Sequence, residues 1–384
     1  MPAAYVYRSL RTPFGRFNGA LADVRPDDLA AQVVRELARP FDPEILDEVV
    51  LGNANGAGED NRNVARMAGL LAGLPTSIPG TTVNRLCGSG LDAVMMASRS
   101  IETGDADLVI AGGVESMTRA PWVMMKPAPA RDAALVSTTL GWRLVNQDMP
   151  AEWTVSLGEA NEQLQKKFSI SRERQDAFAL RSHRLAQQAW DEGFYDELVT
   201  PVASLVKDEG IRASSTLEKL ATLKPVFRPD GTITAANASP LNDGASGVLL
   251  GSESAGEQLG LTPQARIAGR AAHALDPQMF GYAPVAAAEK ALARAGIGWK
   301  DVGAVELNEA FAVQSLACID AWGVDPEIVN VRGGAIAIGH PLGASGGRLI
   351  GTLAAVLAER GERWGVAAIC IGVGQALAVV LENR

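Results

Sequence analysis

The chain has few of the residues from which disulfide frameworks and metal sites are built. It carries three cysteines and three histidines in 384 residues. Three widely spaced cysteines cannot form a disulfide framework, and none stands in the Cys-x-x-Cys pair that zinc sites often use. We therefore expect no metal site, and we expect a reducing compartment, the cytoplasm.

The chain also lacks an excess of basic charge and a long apolar run. Its formal net charge is -9, so nothing in its composition favours nucleic-acid binding. No uninterrupted apolar segment is long enough to span a bilayer, and no signal-peptide core follows the first arginines. Hydrophobic residues make up 47% and charged residues 21%, which is typical of a globular chain with a large core.

Two of the three cysteines and one histidine stand in short glycine-rich segments after strand-like sequence. Cys87 lies in Asn-Arg-Leu-Cys-Gly-Ser-Gly, His340 in Gly-His-Pro-Leu-Gly-Ala-Ser-Gly, and Cys370 in Cys-Ile-Gly-Val-Gly. Glycine lets the backbone and a ligand approach closely in such turns. Enzymes place a nucleophile, a base and an acid in turns of this kind, so the three segments predict an active site.

The order of predicted strands and helices is repeated weakly in the two halves of the chain. The first half has strands at 47–53 and 107–115 and helices at 61–71 and 91–101, and the second has strands at 302–307 and 366–374 and helices at 309–321 and 348–357. Alternating strands and helices predict α/β architecture with parallel sheets flanked by helices. Equivalent strand ends of a duplicated unit would then meet, so distant residues could share one site.

The two halves differ after the last strand of the repeat. Residues 374–382 follow at once as a return strand, whereas the matching strand of the first half is predicted at 245–250. Roughly 120 residues separate that strand from Gly113, far more than a normal connection. We expect this stretch to be an insertion that covers the site, with a helix from Ser171 to Glu192.

The residue types in these turns suit nucleophilic catalysis. Cys87 is predicted just before a helix, where the dipole and the free N–H groups favour a thiolate. His340 could act as its base near neutral pH. Cys370 ends a strand, and the N–H of Gly372 could stabilise an oxyanion. Read singly, each cysteine could instead be an inert core residue, and His340 could simply be packed in a turn.

Four other residues are open to a structural interpretation. Asn308, after a strand, could be a plain helix N-cap or could orient a water or a carbonyl in the site. Cys318 lies on the apolar side of a helix and is expected in the core. His183 lies between Ser182 and Arg184 on a charged helix and is expected in solvent, whereas His273, in an alanine-rich segment predicted as a loop, receives no role.

Six segments resemble the signature segments of the thiolases, in order along nearly the whole chain. They span residues 84–90, 111–117, 237–245, 306–312, 333–346 and 370–375. The resemblance implies the thiolase fold, in which duplicated βαβ-type halves form a five-layered α-β-α-β-α core with an inserted loop domain. The implied bounds are 1–119 with 243–264 for one half, 120–242 for the CoA-binding loop domain, and 265–384 for the other half.

The resemblance also implies catalytic roles. Cys87 matches the nucleophile that accepts the acyl group, His340 the base, and Cys370 the acid that protonates the departing enolate. The N–H groups of Cys87 and Gly372 match one oxyanion hole, and His340 with a water held by Asn308 matches the other. The implied reaction is cleavage of a 3-oxoacyl-CoA by CoA into acetyl-CoA and a shortened acyl-CoA. CoA is then a substrate, no cofactor is tightly bound, and the family is usually dimeric or tetrameric.

Several residues match positions that contact CoA or the acyl group in thiolases. These are Arg212, Phe227, Ala235, Ser239, Leu157, Phe280 and Phe311. Ser156 and Leu157 stand where many thiolases have His-Met, so a histidine contact to CoA is missing. Phe280 replaces a methionine beside the acyl pocket, and Ala283 replaces a glycine. Both departures concern the choice of acyl chain.

The segment 58–67 is similar to the β-ketoadipyl-CoA thiolases, which implies a degradative enzyme with a dicarboxylic substrate. A thiolase that forms acetoacetyl-CoA is one alternative. A carrier-protein-dependent ketoacyl synthase is another, although it would present two histidines in place of Cys370 and Asn308. A non-catalytic lipid-binding relative is a third, and the intact Cys87, His340 and Cys370 argue against it.

Overall fold

The structure is a computed structural model that describes residues 2–56, 58–59, 61–126 and 134–383. Asp60, in the segment 58–67, lies outside the described residues. The strands are β1 (Tyr5–Arg11), β2 (Gly15–Arg16), β3 (Glu48–Gly52), β4 (Gly80–Val83), β5 (Leu108–Ser116), β6 (Trp122–Met124), β7 (Leu135–Ser137), β8 (Asn242–Gly251), β9 (Ala265–Ala274), β10 (Val302–Leu307), β11 (Trp364–Ile371) and β12 (Gln375–Asn383). The α-helices are α1 (Pro26–Ala38), α2 (Val64–Ala72), α3 (Ser89–Thr103), α4 (Leu157–Phe168), α5 (Arg172–Asp191), α6 (Leu217–Ala221), α7 (Glu253–Leu259), α8 (Pro284–Ala295), α9 (Ala312–Trp322), α10 (Ala335–Ile338) and α11 (Ser345–Arg360).

One mixed sheet runs through the molecule in the order β10-β11-β12-β9-β1-β8-β5-β3-β4, with β2 attached to β8. The expected parallel pairing holds for β3 with β4 and β5, and for β10 with β11. The return strands β8 and β12 are antiparallel to their neighbours, so the sheet is not parallel throughout. Strands β1 and β9 join the two halves through two residue pairs, Tyr5 with Arg266 and Val6 with Ala265.

The five layers expected from the sequence are confirmed by the packing of the helices. Helices α3 and α11 share one apolar core with strands from both halves of the sheet, for example Leu91 and Leu353 with Val109 and Val379. Helices α1 and α2 cover the outer face of the first half, and α8 and α9 cover that of the second. The central helices therefore begin between the two halves, where equivalent strand ends meet.

Some element bounds differ from the sequence-based ones for packing reasons. Strand β5 does not turn at its glycines but runs on to Ser116, because Gly113 lies against the backbone of Gly52 and Gly343, where a Cβ would collide. Helix α9 begins at Ala312 rather than at Glu309. The Glu309 carboxylate is buried and accepts hydrogen bonds from Ser182 Oγ and other groups, which holds this segment outside the helix.

The segment between β5 and β8 contains the hairpin β6–β7 and helices α4, α5 and α6. As expected, α5 has Ser171 as its N-cap, whose side chain accepts from the N–H of Arg174. The expectation that His183 is solvated is wrong. Its side chain is buried because α5 packs against α10, and its Nδ1 accepts from the N–H of Arg212 at 3.1 Å. His273 lies at the end of β9, not in a loop, next to Lys290.

Among the described residues, no helix is long and apolar enough to cross a membrane. In the same part of the chain, no group of three or more histidine, cysteine, aspartate or glutamate side chains could hold a metal ion.

Candidate active site

Cys87 lies in a tight turn between β4 and α3. Leu86 has a left-handed φ of 48°, which is unusual for a residue with a Cβ. Ser89 closes the turn, since its Oγ accepts from the N–H of Arg85 at 2.8 Å and donates to the carbonyl of Leu86 at 2.6 Å. Gly88, the N-cap of α3, leaves no room for a Cβ because the Ile371 side chain lies against it. The turn therefore holds Cys87, half-buried, at the end of the central helix.

The Cys87 thiol meets the turn of the second half. The turn of Cys87 packs against the hairpin turn of the second half, since Gly88 lies against the Ile371 side chain and Gly372 lies near Leu86. The Gly372 N–H is close enough to the Cys87 sulfur to lower the pKa of Cys87, and Cys87 in turn raises the pKa of Cys370. Burial raises the pKa of Cys87 to about 11, against the opposing effect of the Gly372 N–H. Burial also raises the pKa of Cys370. The thiolate expected at Cys87 is thus wrong for the free site, because Cys87 precedes the N-cap Gly88 and burial outweighs the nearby N–H groups.

Cys370 and Gly372 are positioned by a hairpin between β11 and β12. Cys370 pairs with Ala376 across the hairpin and is 1% exposed, in an apolar cluster with Phe280 and Phe311. The strand ends at Ile371, and the turn includes Val373 with a left-handed φ of 66°. The ladder ends at the pair Ile371–Gln375, so the Gly372 N–H lies outside it and close to the Cys87 turn.

The backbone of His340 is fixed by the buried side chain of Asn242. Its backbone N–H donates to Asn242 Oδ1 at 2.9 Å, and the Asn242 amide in turn donates to the carbonyl of Gly15. Gly339, with φ of 120°, packs so closely on Asn242 that a side chain could not replace its hydrogen. Asn242 therefore fixes the backbone that carries the imidazole.

Ser345 assigns the tautomer of His340. The Ser345 hydroxyl donates to the carbonyl of Pro341 at 3.0 Å and lies 2.6 Å from His340 Nδ1. A hydroxyl has one proton, so Nδ1 carries its own proton and donates to Oγ, which leaves Nε2 free to accept one. Burial, assisted by the positive charge of Arg348, lowers the pKa of His340 to about 3. The imidazole is therefore neutral near pH 7.

Asn308 lies directly after β10 and faces His340. Its Nδ2 is 3.4 Å from both ring nitrogens, and its Oδ1 accepts from Arg348 Nη2 at 3.3 Å. The side chain is fully buried. Asn308 is not the N-cap of α9, since that position belongs to Phe311.

The turn that carries Cys87 and the segment that carries His340 approach each other where the first turns of α3 and α11 touch. Gly90 packs against the carbonyl of Gly343, and Gly346 packs against the backbone of Leu91. Glu115 joins the same region, because its carboxylate accepts from the N–H of Gly343 and from that of Ala54. Cys87 thus lies against the hairpin of Cys370 and Gly372. His340 lies against Asn308, which follows β10, the strand paired with the one that carries Cys370.

Most of the predicted CoA-binding residues lie near this region. Phe227 is 39% exposed and stacks edge-on against Phe311, with ring centroids 6.4 Å apart. The Phe227 ring also lies over Gly158, next to Leu157 at the start of α4. The N–H of Ser239 donates to the carbonyl of Ala310 at 2.9 Å, one residue before Phe311. These contacts form one wall beside the Cys370 cluster.

Three predicted binding residues differ in their setting. Phe280 is buried in the cluster of Cys370, whereas Ala235 is exposed. Arg212 is exposed as well, and its N–H bonds to His183. Among the described residues, no contact joins Arg212 to the wall formed by Phe227 and Phe311.

Four residues of the site carry no role in the sequence-based prediction. These are Asn242, Ser345, Arg348 and Glu115. Ser345 follows His340 by five residues in the same glycine-rich segment, and that spacing could have suggested a partner for the ring. Asn242, about 100 residues away in sequence, could not have been found from spacing.

Two family models together match nearly the whole chain. Residues 4–254 match the N-terminal domain of the thiolases, and residues 261–383 match their C-terminal domain. Among curated relatives, a 3-oxoadipyl-CoA/3-oxo-5,6-dehydrosuberyl-CoA thiolase of Escherichia coli is 49% identical over an alignment of 400 positions that covers 100% of both chains. A β-ketoadipyl-CoA thiolase of Pseudomonas putida is 48% identical, also over 100% of both chains.

Solved structures agree with this match. An acetyl-CoA acetyltransferase of Bacillus anthracis is 36% identical with a TM-score of 0.93, covering 100% of this chain and 99% of that one. The human mitochondrial 3-ketoacyl-CoA thiolase in complex with CoA is 36% identical with a TM-score of 0.94, covering 100% and 98%. Matches of this identity and coverage show common ancestry as well as a common fold, and the chain belongs to the thiolase family.

Proposed function

We propose that this thiolase cleaves 3-oxoadipyl-CoA with CoA, and that Cys87, His340 and Cys370 carry out the chemistry with Asn308 and Gly372. The substrate is supported by the relatives that bear this name, which align over the full length of the chain. One observation above all supports the residue roles. Leu86 and Gly88, on either side of Cys87, lie against Gly372 and Ile371, so the turn of the proposed nucleophile packs on the hairpin that carries the proposed oxyanion donor and acid.

In the first step His340 Nε2 takes the proton of the Cys87 thiol. The sulfur then attacks the 3-keto carbon of the substrate, and the resulting alkoxide accepts hydrogen bonds from the N–H groups of Cys87 and Gly372. Since both partners are neutral in the free site, no group must first gain or lose a proton to solvent. The site thus begins the reaction in its resting protonation state.

In the second step the bond between C2 and C3 breaks, and its electron pair forms the enolate of acetyl-CoA. The enolate oxygen is stabilised by the protonated His340 and by a water that Asn308 would hold. The Cys370 thiol gives its proton to C2, which releases acetyl-CoA. A buried thiol with a raised pKa remains protonated until this moment, as an acid in this role must.

In the last step CoA removes the acyl group. His340 returns its proton to the Cys370 thiolate and, neutral again, accepts the proton of the CoA thiol. The CoA sulfur attacks the acyl carbon on Cys87, and the Cys87 thiolate leaves and recovers its proton from His340. The products are a shortened acyl-CoA and the starting enzyme.

The wall beside the Cys370 cluster suits the pantetheine arm of CoA. Phe227 and Phe311 offer an apolar surface, with Leu157, Ser239 and Phe280 next to it. We assign Arg212 and Ala235 to the outer, nucleotide end of the same cleft, since both are exposed. The loop domain is then residues 120–242, between halves formed by 1–119 with 243–264 and by 265–384.

We also propose that the protein works as a homodimer or homotetramer in the cytoplasm. Its three cysteines are free, as a reducing compartment requires. Size-exclusion chromatography with light scattering would measure the assembly directly, and a monomeric mass would contradict the proposal.

The roles are tested with Cys87→Ala and the control Cys318→Ala. Cys318 is buried and donates to the carbonyl of Gly281, and among the described residues no hydrogen bond joins it to Cys87, His340 or Cys370, so its variant should keep near-normal thiolysis. Cys87→Ala should lose activity to background. Near-normal activity in Cys87→Ala would overturn the assignment.

The substrate is tested by thiolysis rates for 3-oxoadipyl-CoA, acetoacetyl-CoA and a longer monocarboxylic 3-oxoacyl-CoA. We expect the highest kcat/KM for 3-oxoadipyl-CoA. A preference for acetoacetyl-CoA would support the acetoacetyl-CoA-forming alternative, and a requirement for an acyl carrier protein would support a ketoacyl synthase.

A further inference from the structure

Arg348 is the largest fully buried side chain among the described residues. It lies in the first turn of α11, between the two halves of the sheet, and is 2% exposed. Its Nη1 donates to Glu306 Oε2 at 2.8 Å, forming an ion pair with a strand residue that is 1% exposed. A guanidinium is very rarely buried to this degree without a specific partner.

The second hydrogen bond of Arg348 reaches the site itself. Its Nη2 donates to Asn308 Oδ1 at 3.3 Å. An amide has an acceptor end and a donor end, and a guanidinium can only donate. Arg348 therefore selects the orientation in which the oxygen of Asn308 faces away from the reaction and its Nδ2 faces His340.

The arrangement is not the one that stability alone would favour. Arg348 Nε and Glu306 Oε1 are buried and have no hydrogen-bond partner among the described residues. A buried ion pair with unsatisfied atoms is often no more stable than an apolar pair of similar volume. The buried Arg348 has a second consequence, which is to keep the Nδ2 end of the Asn308 amide facing His340. That orientation bears directly on the proposed chemistry.

We propose that Arg348 is a positioning residue that orients the Asn308 amide for the enolate step, with Glu306 as the anchor of its guanidinium. The proposal rests on the proposed function, in which Asn308 serves the enolate oxygen and Gly372 serves the alkoxide. Arg348 contacts the first of these groups and not, among the described residues, the second. Its loss should therefore slow one half of the reaction selectively.

The two products of 3-oxoadipyl-CoA cleavage allow the two halves to be measured separately. Exchange of the methyl protons of acetyl-CoA with deuterium in D2O reports formation of the enolate. Transfer of the succinyl group of succinyl-CoA to isotopically labelled CoA reports attack on the thioester by Cys87 and release from it. Wild-type protein must show both reactions, and failure of either in wild type would overturn the proposed function rather than the role of Arg348.

The test variant is Arg348→Lys, which keeps the charge opposite Glu306 but loses the forked geometry. We expect deuterium exchange to fall on the order of 10²-fold, as for loss of one oxyanion donor, and succinyl transfer to stay within about threefold. The matched control is Arg11→Lys. Arg11 is equally buried and bonds both oxygens of Asp208, so its variant should change both rates by the same factor.

Equal losses in both reactions of Arg348→Lys, or an undiminished deuterium exchange, would overturn the proposal. If Arg348→Lys does not fold, the double variant Arg348→Met with Glu306→Gln removes both buried charges together. It is measured in the same way. Deuterium exchange is expected to fall more than succinyl transfer, because Asn308 again lacks its donor, whereas loss of the Arg348 charge near His340 affects both reactions.

Discussion

The two cysteines of the proposed site, one from each half of the duplicated fold, differ in their surroundings. Cys87 precedes a central helix of the first half and is half-buried, whereas Cys370 ends a strand of the second half and is 1% exposed. Burial raises the pKa of both thiols, so protonation state does not distinguish them. Exposure does distinguish them, because a substrate can reach the half-buried Cys87 directly, whereas Cys370 is almost fully buried.

The equivalent strands of the two halves, β5 and β11, also end differently. Strand β5 of the first half runs straight through Gly113, which packs against Gly343 and so seats the turn that carries His340. Strand β11 of the second half stops at Ile371 and turns back at once into β12. The first half thus supports the segment that carries His340, and the second half leaves the N–H of Gly372 outside the β-ladder.

The largest effect is expected when the proposed proton donor, Cys370, is removed and the proposed nucleophile, Cys87, is kept. In Cys370→Ala we expect thiolysis to fall on the order of 10²- to 10⁴-fold, the usual contribution of a positioned acid. Acylation of Cys87 by an acyl-CoA should persist, visible as an added acyl mass on the intact protein. A variant that no longer acylates would show that the two thiols do not have separate roles.

The second test removes the backbone donor of the hairpin. Gly372→Pro lacks the N–H and should lose on the order of 10²- to 10³-fold in kcat, as expected for one oxyanion-hole donor. Gly372→Ala is the control, since it keeps the N–H and its Cβ would make ordinary contacts with Leu86 and Leu157 at 3.7 Å. Circular dichroism confirms that both variants fold, and equal losses in both would argue against the hydrogen bond.

Much of this comparison could be predicted from the sequence. The apolar strands β3, β10 and β11 and the glycine turns stand out because their period and composition differ from their flanks. The repeat of that order in both halves indicated that Cys87 and Cys370 would meet. The thiolase resemblance added roles to these positions, and the family models confirm the family.

The partners of the site residues could not be predicted, because they come from distant segments. Asn242 and His340 meet only after β8 has joined the sheet, and the charge pattern around His183 gave no sign that α10 would cover it. Arg348 has the sequence setting of an ordinary helix charge. It becomes buried only when strands from both halves pack around α11, and a local sequence pattern does not show this.

A third prediction uses the raised pKa of Cys87. With a pKa of about 11, the thiolate fraction of free Cys87 rises about tenfold per pH unit below that value. The rate of alkylation by iodoacetamide should therefore rise about tenfold from pH 7 to 8 and again from 8 to 9. Peptide mass spectrometry identifies the modified cysteine, and a plateau above pH 7 would mean that the thiol is already ionised.

The smallest expected effect concerns the backbone strain that both turns share. Val373 and Leu86 each have a left-handed φ, which costs a residue with a Cβ roughly 1–2 kcal/mol. Val373 is 39% exposed, so Val373→Gly should release strain, lose little packing and raise the free energy of unfolding by about 0.5–1 kcal/mol. Leu86 packs against the central core, so Leu86→Gly should lower the free energy of unfolding, because the lost packing outweighs the released strain. Urea denaturation measures both, and a loss of stability in Val373→Gly would show that the hairpin depends on its valine.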